Sequence, residues 1–556
     1  MTFVAEHYWN TLAPDLECPA RPARAGRTAV SKAEQRVAAE IAVKAAEMAP
    51  LEAGYAVGTI YTAMLPEAHR GDFGVFYTPP ALTERLLDQA EAAGVDWRTA
   101  RVLDPACGGG AFLAPVAARM AAALAGAPGK QVLAHVEAHL SGIDIDPLGA
   151  WMSQVFVEAA LLDAARAAGR RLGRLVEVRD SLAIDDAEIA ERGGYDLVVG
   201  NPPYGRVTLD KEVRARWARS LYGHANVYGL FTDLAVRMVR PGGVIAYVTP
   251  AGFLGGEYFK NLRRLLGERA PPVSIDFVDA RKGVFADVLQ EALLAVYRAE
   301  SPRVSVSFLG ARETGDVVAT PGGGFALPAD PSRPWLLPRH ARNVDLAHRL
   351  RAMPGRLADI GYEVSTGPLV WNRHKAKLHD HKVRGAVPLI WAECVAADGS
   401  GRFAFKAVTR NHKAWFVPGP ADEPNIVRTA CVLVQRTTAL EQARRLIAAE
   451  LPQDFIDEHG GAVSVENHLN MVKPMRGAVP PVSAQAVAAL LNSAAMDEAF
   501  RCINGTPAVS AYEIEATPLP PVAELKALDR MVARKAGKDA IEKRIWEMYG
   551  VQVRES

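Results

Sequence analysis

The segment with the clearest chemical potential is Gly-Asn-Pro-Pro-Tyr at 200–204, directly after the strand-like run 195–199. Proline fixes φ, has no N–H and holds the residue before it in an extended conformation. The side-chain oxygen of Asn201 and the carbonyl of Pro202 can therefore accept two hydrogen bonds from one planar amino group, and Tyr204 offers a ring for stacking. The pattern predicts a site for the exocyclic amine of a heterocycle. On these residues alone, an ordinary proline-rich turn is the alternative.

A glycine-rich turn at 104–110, Asp-Pro-Ala-Cys-Gly-Gly-Gly, joins a predicted strand to a predicted helix. Glycine lets a backbone curl tightly and approach a ligand closely. The turn is not GxGxxG and lacks the Lys-Ser/Thr of a phosphate loop, so we expect it to hold a nucleoside joined to an amino acid. An ordinary strand-to-helix turn is the alternative. The candidate contacts are Asp104, Ala106, Cys107, Gly108 and Gly110.

Acidic residues end the next two predicted strands. Asp144 is placed to accept both ribose hydroxyls of such a ligand, and Ile145 is placed to pack on its adenine. Asp180, with Ser181 beside it, is placed to accept the adenine amino group. Asp146 precedes a proline and is interpreted as a turn residue or a helix cap.

The spacing between the first two acids is unusually long. Asp144 follows Asp104 by 40 residues, against roughly 20 from the glycine fingerprint in dinucleotide folds. We assign the excess to the Ala-rich stretch 121–140, as either a longer helix or an inserted one.

The composition is that of a large folded protein in a reducing compartment. The chain has 556 residues, of which 49% are hydrophobic, and a net charge of +1, so several domains are expected and charge alone does not indicate a partner. Its five cysteines include no CxxC pair, which argues against a zinc site. No apolar run reaches the roughly 18 residues of a membrane span. We expect a soluble, cytoplasmic protein with no membrane partner.

The alternation of strand and helix patterns divides the chain into five parts. The largest alternates short apolar strands with helices, which predicts an α/β domain with a doubly wound, mostly parallel sheet. The parts are a helical N-terminal extension (1–70), this α/β domain (71–300), a Pro/Gly-rich linker (301–345), an α+β domain (346–521) and a C-terminal helix (522–556).

Basic and aromatic residues are interleaved between 351 and 415. This segment holds roughly twice as many Lys and Arg as Asp and Glu, and three tryptophans, Trp371, Trp391 and Trp415. The mixture is typical of a nucleic-acid face, and a solvated surface over core tryptophans is the alternative. We predict no metal site, because no acid or cysteine at ligand spacing completes a set with its histidines, His374, His379 and His381.

In this order, the motifs resemble those of the N6-adenine DNA methyltransferases with gamma-type motif order, the TaqI-like group of restriction–modification enzymes. The segment Gly-Val-Phe at 283–285 resembles the one whose aromatic, here Phe285, closes over a flipped base. The segment Gly-Val-Phe-Tyr-Thr-Pro-Pro at 74–80 resembles the motif that contacts the methionine part of S-adenosylmethionine, through Tyr77 and Thr78.

The resemblance implies a Rossmann-like S-adenosylmethionine-dependent methyltransferase domain followed by a DNA target-recognition domain. It implies methyl transfer to a flipped adenine in double-stranded DNA. The expected biological unit is a monomer that protects DNA against a separately encoded restriction endonuclease. The implied catalytic residues are Asn201, Pro202, Pro203, Tyr204 and Phe285, and the implied DNA contacts are Arg373, His374, Lys375, Arg436, Thr437 and Thr438.

Three alternatives stay open. The same Asn-Pro-Pro-Tyr motif serves RNA methylases and the glutamine methylases of release factors, which are usually shorter. The chain could also be a modification subunit that needs a separate specificity protein, or a non-catalytic DNA-binding protein that keeps the fold. The region after the predicted linker favours a DNA enzyme with its own sequence reader.

The expected chemistry needs neither a nucleophile nor a strong base. Cys107 lies in the glycine turn and not beside Asn201, which argues against the covalent route used on carbon 5 of cytosine. Asn at the first motif position favours adenine over the N4 amine of cytosine, where related enzymes more often carry Ser.

Overall fold

The computed structural model describes the chain as two compact units. The first comprises Met1–Ala251 and Tyr258–Ser332, and the second comprises Gly252–Glu257 and Arg333–Ser556. Three predicted site residues, Tyr77, Phe285 and Thr438, lie outside the described residues, which are 1–21, 31–65, 78–278, 292–299, 303–311, 317–408, 412–437, 444–504, 506 and 508–551.

The first unit is organised around one large sheet. Its described strands are β1 (Val102–Asp104), β2 (Leu140–Asp144), β3 (Val176–Val178), β4 (Tyr195–Gly200), β5 (Arg206–Val207), β6 (Ala225–Asn226), β7 (Val239–Pro250), β8 (Pro272–Val278), β9 (Ala292–Arg298), β10 (Val304–Ala311) and β11 (Val317–Phe325). The short strands β5 and β6 pair only with each other. The other nine form a sheet in the order β11-β10-β8-β9-β7-β4-β1-β2-β3.

The strand directions place a crevice at the end of β1. From β3 across to β7 the strands run parallel, and β9 runs antiparallel between β7 and β8. The chain passes from β1 to β2 on one side, whereas β4 lies on the other side. At such a switch point, ligands bind beyond the carboxyl ends of the strands. The predicted doubly wound, mostly parallel α/β sheet is confirmed.

Helices alternate with these strands. In the described part of the first unit they are α1 (Thr2–Leu12), α2 (Lys32–Ala46), α3 (Pro50–Met64), α4 (Pro80–Ala92), α5 (Leu113–Ala123), α6 (Gly129–His139), α7 (Pro147–Ala160), α8 (Leu162–Ala168), α9 (Asp186–Glu191), α10 (Lys211–Arg216), α11 (Val227–Met238) and α12 (Lys260–Arg269). Helices α1 to α3 form the expected N-terminal extension, and Ser31 starts α2 with a capping box. Helix α6 is the inserted helix that lengthens the path from β1 to β2.

The interval 301–345, expected to be a linker, contains two strands of the large sheet. β10 pairs with both β8 and β11, and its residues Val304 and Val306 are buried. The glycine run that suggested a loop lies inside β11. A Cβ on Gly322 would come within 2.7 Å of the Phe308 ring, so close packing, rather than a turn, requires glycine there.

The second unit is α+β, as predicted. Its described strands are β12 (Tyr362–Thr366), β13 (Leu378–His379), β14 (Val387–Ile390), β15 (Trp415–Phe416), β16 (Ile426–Val427), β17 (Cys431–Gln435), β18 (Ala448–Leu451), β19 (Val463–Val465) and β20 (Leu469–Pro474). They form two sheets, β12-β20-β17-β18 and β13-β15-β14-β19-β16. Its described helices are α13 (Val344–Ala352), α14 (Gln453–Glu458), α15 (Ala484–Leu491), α16 (Ala494–Arg501), α17 (Ala511–Ala516), α18 (Val522–Ala533) and α19 (Lys538–Tyr549).

The predicted C-terminal helix of the second unit is divided in two. The single helix predicted from residue 522 is instead α18 and α19, and Lys535 between them has a φ of 54°, a left-handed conformation that ends a helix. Helices α15 and α16 are also separate, and Ser493 caps the start of the second. Among all the residues that the structure describes, no helix combines the length and apolar character needed to cross a membrane.

Buried aromatic residues fix the N-terminal extension to the first unit. Tyr8 and Trp9 of α1 are almost completely buried. The ring of Tyr8 lies 5.2 Å from that of Phe156 in α7, measured between centroids. The extension is therefore part of the core of this unit and not an appendage.

A hydrogen bond connects the extension to the start of α7. The Tyr61 hydroxyl in α3 donates to Asp146 Oδ2 at 2.7 Å. Asp146 caps α7, because its carboxylate also accepts the backbone N–H groups of Leu148 and Gly149, each at 3.0 Å. The sequence leaves Asp146 as either a turn residue or a helix cap, and in the structure it is the helix cap.

We predict that Tyr61→Phe lowers the free energy of unfolding of the full chain by about 1–2 kcal/mol, because a hydrogen bond to a carboxylate is lost. Urea unfolding measures this change. Tyr55→Phe is the matched control on the same helix and should leave the unfolding midpoint unchanged, since its hydroxyl makes no hydrogen bond to any residue that the structure describes. Equal midpoints for the two variants would show that the Tyr61 bond does not stabilise the fold.

Candidate active site

The amide of Asn201 lies just beyond the end of β4, with a different partner at each end. Its Nδ2 donates to Thr78 Oγ1 at 3.2 Å. Its Oδ1 accepts a hydrogen bond from the Tyr204 hydroxyl at 2.6 Å. The predicted acceptor atom, Oδ1, therefore already accepts one hydrogen bond, from Tyr204.

Tyr204 belongs to a small aromatic cluster. Its ring meets the Tyr228 ring edge to face at 6.1 Å, and Tyr228 stacks on Phe259 at 5.1 Å. Burial raises the pKa of the Tyr204 phenol, so the group stays protonated at neutral pH and acts as a donor rather than a base. The motif prolines differ in exposure, with Pro202 buried and Pro203 half-buried.

The two motifs of the sequence meet at Gly200. A Cβ at this position would lie 2.7 Å from Asp104 Oδ1, which is too close for any side chain. The last residue of β4 is therefore in direct contact with the carboxylate that ends β1. The Asn-Pro-Pro-Tyr segment and the glycine turn therefore start side by side at one edge of the sheet.

Asp104 carries a buried oxygen without a partner. Its Oδ1 accepts the backbone N–H of Ala106 at 3.0 Å, whereas Oδ2 has no hydrogen-bond partner within the described ranges. Burial, with a smaller contribution from the charge of Asp144, raises the pKa of Asp104 to about 8. A donor or a cation would stabilise the ionised form of this group.

Two glycines of the turn adopt backbone conformations with positive φ, which favour glycine. Gly108 has a φ of 50° and Gly110 a φ of 86°, and a Cβ on Gly110 would lie 3.0 Å from the Cα of Ser153. Within the part of the chain that the structure describes, no atom lies within 4 Å of a Cβ position on Gly108, so those residues leave this side of the turn open. Ala106, between Asp104 and Cys107, is half-buried.

Cys107 has the environment of a structural thiol. The residue is buried, and its backbone N–H donates to the Ile143 carbonyl at 3.0 Å. Burial raises the pKa of the thiol well above its usual value, and the charges of Asp144 and Asp104 act in the same direction. An uncharged thiol is a poor nucleophile, in agreement with the role expected from its position.

Asp144 connects the glycine turn to the end of β2. Its Oδ2 accepts the N–H of Gly108 at 2.7 Å, and its Oδ1 accepts the N–H of Asp146 at 2.8 Å. Burial raises the pKa of Asp144 to about 6, against the lowering effect of these donors. Each carboxylate oxygen can accept a second bond. Next to it, Ile145 is 55% exposed, which is unusual for a large apolar side chain beside a crevice.

The residues after β3 have two different surroundings. Asp180 is exposed and accepts the N–H of Leu182 at 2.9 Å. Ser181 is buried, and its hydroxyl donates to the Pro105 carbonyl at 2.6 Å. Ser181 therefore supports the turn from behind, while Asp180 is accessible to a ligand.

In the second unit, the basic turn around residue 373 is exposed. Arg373 and Lys375 are exposed, and Lys375 Nζ lies 5.3 Å from the centroid of the Trp371 ring, which is 37% exposed. His374 is more restricted, since its Nδ1 lies 3.5 Å from the Asp422 carboxylate. The described residues contain no group of three His, Cys, Asp or Glu side chains placed to hold a metal ion.

Two further predicted DNA contacts, Arg436 and Thr437, directly follow β17. Arg436 Nη1 donates to the Asn467 carbonyl at 2.7 Å, so part of this guanidinium connects two backbone segments. Thr437 is exposed. Of these two residues, Thr437 is the more accessible to a partner.

Sequence reasoning did not identify three features of the crevice. These are the bond between Asn201 and Thr78, the Tyr228–Phe259 stack and the Tyr61–Asp146 bond. Each of these contacts joins residues that are far apart in the sequence; Thr78 and Asn201, for example, are 123 positions apart. Only the position of Tyr228, 24 residues after Tyr204 on an apolar helix, could have suggested an aromatic partner.

Comparison with known proteins gives consistent matches. Residues 167–285 match the family described as Eco57I restriction-modification methylase. The type II methyltransferase M.PstI of Providencia stuartii is 26% identical over 348 residues, 61% of this chain and 67% of the relative. The type II methyltransferase M.BsuBI of Bacillus subtilis is 24% identical over 373 residues, 62% of this chain and 72% of the relative.

Solved structures share the fold at low identity. The type IIL restriction-modification enzyme MmeI, in complex with DNA, gives a TM-score of 0.57 at 12% identity and covers 100% of this chain and 88% of its own. The type ISP restriction-modification enzyme LlaBIII, bound to DNA, gives 0.52 at 10% identity, with 96% of this chain and 45% of its own covered. Together, the sequence matches identify this chain as a relative of the type II restriction–modification methyltransferases.

Proposed function

We propose that the chain transfers a methyl group from S-adenosylmethionine to the N6 amine of an adenine at a specific site in double-stranded DNA, and so protects DNA in a restriction–modification system. The observation that carries this proposal is the contact of Gly200 with Asp104, which brings the backbone that leads into Asn201 against the residue that starts the glycine turn. An acceptor for an amino group and a turn for a nucleoside then share one crevice. The relatives are type II methyltransferases, in agreement with this chemistry.

The residues of the turn fit S-adenosylmethionine. This cofactor carries two positive charges and supplies an activated methyl group on its sulfonium. The partnerless Oδ2 of Asp104 suits a cation or donor, and the carboxylate of Asp144 suits the ribose hydroxyls. The exposed side chain of Ile145 would cover the adenine, and Asp180 would accept its amino group. Thr78 and Tyr77 belong to the motif that the resemblance assigns to the methionine part.

The target adenine must leave the duplex to reach this crevice. In the stack its amine is paired and its lone pair is delocalised into the ring, so extrusion is needed at a cost of a few kcal/mol (roughly). Tyr204 would stack on one face of the base and Phe285 on the other, each contact contributing about 1–3 kcal/mol by analogy with single-strand readers.

Two acceptors then align the amine. Asn201 Oδ1 and the Pro202 carbonyl would each accept one N6 hydrogen, which draws the nitrogen toward tetrahedral geometry and concentrates its lone pair. An amide oxygen has two acceptor sites, so Oδ1 can accept from the substrate in addition to Tyr204. The proton leaves after transfer, when the product amine is positively charged. Catalysis rests mainly on alignment and electrostatics.

The second unit would supply the DNA contacts. Arg373 and Lys375 are exposed beside a partly exposed Trp371, a combination that suits phosphates and an unstacked base. Thr437 is exposed as well. His374 and Arg436 already bind within the unit and would contribute less. Phosphate contacts would position this unit, whereas contacts to base edges would specify the sequence.

We predict that Asn201→Ala lowers methyl transfer to unmodified genomic DNA by at least about a thousandfold, because an acceptor that aligns the reacting nitrogen is removed. The affinity for S-adenosylmethionine should stay within about twofold, since the change lies outside the glycine turn. Transfer of labelled methyl groups and calorimetry measure the two quantities.

The matched control for this experiment is Asn343→Ala, which removes a buried amide of the second unit that donates to Glu498 at 2.8 Å. The Asn343→Ala variant should transfer methyl groups at the rate of the wild type. A loss of cofactor affinity in Asn201→Ala, or retained transfer, would show that the amine site is misplaced. Transfer to RNA or to a glutamine side chain, and not to duplex DNA, would identify a different substrate class.

We predict that S-adenosylmethionine binds more weakly as the pH falls through about 6, because Asp144 then becomes protonated. The sign follows from the raised pKa: the carboxylate, which accepts the ribose hydroxyls, is the form present above about pH 6. The loss should approach about tenfold per pH unit below that value, as for one linked proton. Calorimetry across this range measures it.

Asp144→Asn should bind weakly at every pH and lose the transition, whereas the exposed Asp163→Asn should behave like the wild type. An affinity that does not change through pH 6 in the wild type would remove Asp144 from the cofactor site. Asp104, with a pKa of about 8, titrates in a separate and higher range.

A further inference from the structure

The amide of Asn201 has two chemically opposite ends and must present the correct one. Rotation by 180° about its last side-chain bond exchanges an acceptor oxygen for an NH2 donor, and this torsion has little intrinsic preference. A substrate amine can only donate to the oxygen. A flipped amide would set donor against donor and lose the alignment that the proposed reaction requires.

Thr78 lies on the side of the amide away from Tyr204. Its Oγ1 accepts the Nδ2–H of Asn201 at 3.2 Å, and the residue is only 2% exposed. Its position is fixed by the following Pro79 and Pro80, since Pro79 caps α4 and accepts the backbone N–H groups of the first helical turn. Proline φ angles are rigid, so Thr78 is held independently of β4.

We propose that Thr78 is a positioning residue that holds the amide of Asn201 with its oxygen toward the substrate amine. The proposal rests on the function proposed for Asn201, and it gives Thr78 a role distinct from the cofactor contact expected from the sequence. When Thr78 accepts from Nδ2, the amide NH2 is satisfied on the buried side. Acceptance there also polarises the amide and makes Oδ1 a better acceptor.

Without this acceptor, the preference for the productive orientation of the amide is weaker. The hydroxyl of Tyr204 can accept as well as donate, and it lies 2.6 Å from the other end of the amide. If residue 78 has no oxygen, Nδ2 loses this acceptor, and a turn toward Tyr204 costs less than it does in the wild type. The NH2 group would then occupy the position from which Oδ1 should accept the substrate.

The experiment compares Thr78→Val, which keeps the shape and removes the oxygen, with Thr78→Ser, which keeps the oxygen. Thr83→Val is a matched control five residues on, in the first turns of α4, because the Thr83 hydroxyl is also buried and has no hydrogen-bond partner among the described residues. We expect kcat for methyl transfer to fall by at least about tenfold in Thr78→Val. The affinity for S-adenosylmethionine should not change, and Thr78→Ser and Thr83→Val should stay within about twofold of the wild type.

A double mutant shows whether Thr78 acts through Asn201. Adding Thr78→Val to Asn201→Ala should cause no further loss, because the amide that Thr78 holds is already gone. Should Thr78→Val fail to fold in a thermal-unfolding check, Thr78→Ala against Thr78→Ser gives the same comparison.

Each other result would overturn the proposal in a distinguishable way. A Thr78→Val variant with weakened cofactor affinity and normal kcat would make Thr78 a cofactor contact. Equal kcat for Thr78→Val and Thr83→Val, with Asn201→Ala inactive, would overturn the positioning role alone. Full turnover in Asn201→Ala would overturn the proposed function and the positioning role with it.

Discussion

The candidate site depends on a contact between the ends of two neighbouring parallel strands. Gly200 ends β4 against the carboxylate of Asp104 at the end of β1, with no room for a side chain between them. The contact sets Asn201 next to the glycine turn, and it follows from the strand order, because β4 and β2 flank β1 on opposite sides. The proposed amine acceptor and the proposed nucleoside turn therefore lie at the same edge of the sheet.

Buried and half-buried acids both shape this crevice and give it its charge. Asp144 holds the turn through the N–H of Gly108, and Asp146 caps the next helix while it receives the Tyr61 hydroxyl. Burial raises the pKa of Asp104 and of Asp144, so a cation or a donor that reaches either group would stabilise its ionised form. The N-terminal extension reaches this network through Tyr61, which gives it a structural part in the site.

The sequence predicts which residues lie at strand ends better than it predicts contacts between residues that are far apart in the chain. The α/β sheet follows from short apolar strands between helices, and the shared edge of Asp104, Asp144 and Asn201 follows from parallel strand direction. The hydrogen bond between Asn201 and Thr78 does not follow from the sequence, because Thr78 precedes the first strand and only tertiary packing brings the two residues together. The strand pair β10–β11 looked like a linker, since Gly322 is read as a turn residue until the Phe308 ring that requires it is known.

The most direct measurement is the mapping of modified bases in DNA from cells that express the chain. The account predicts N6-methyladenine within one recurrent sequence, and its absence from cells that express Asn201→Ala. Methyl groups on cytosine, or methyladenine that persists without the Asn201 amide, would contradict the central claim that this amide aligns an adenine amine beside the methyl donor.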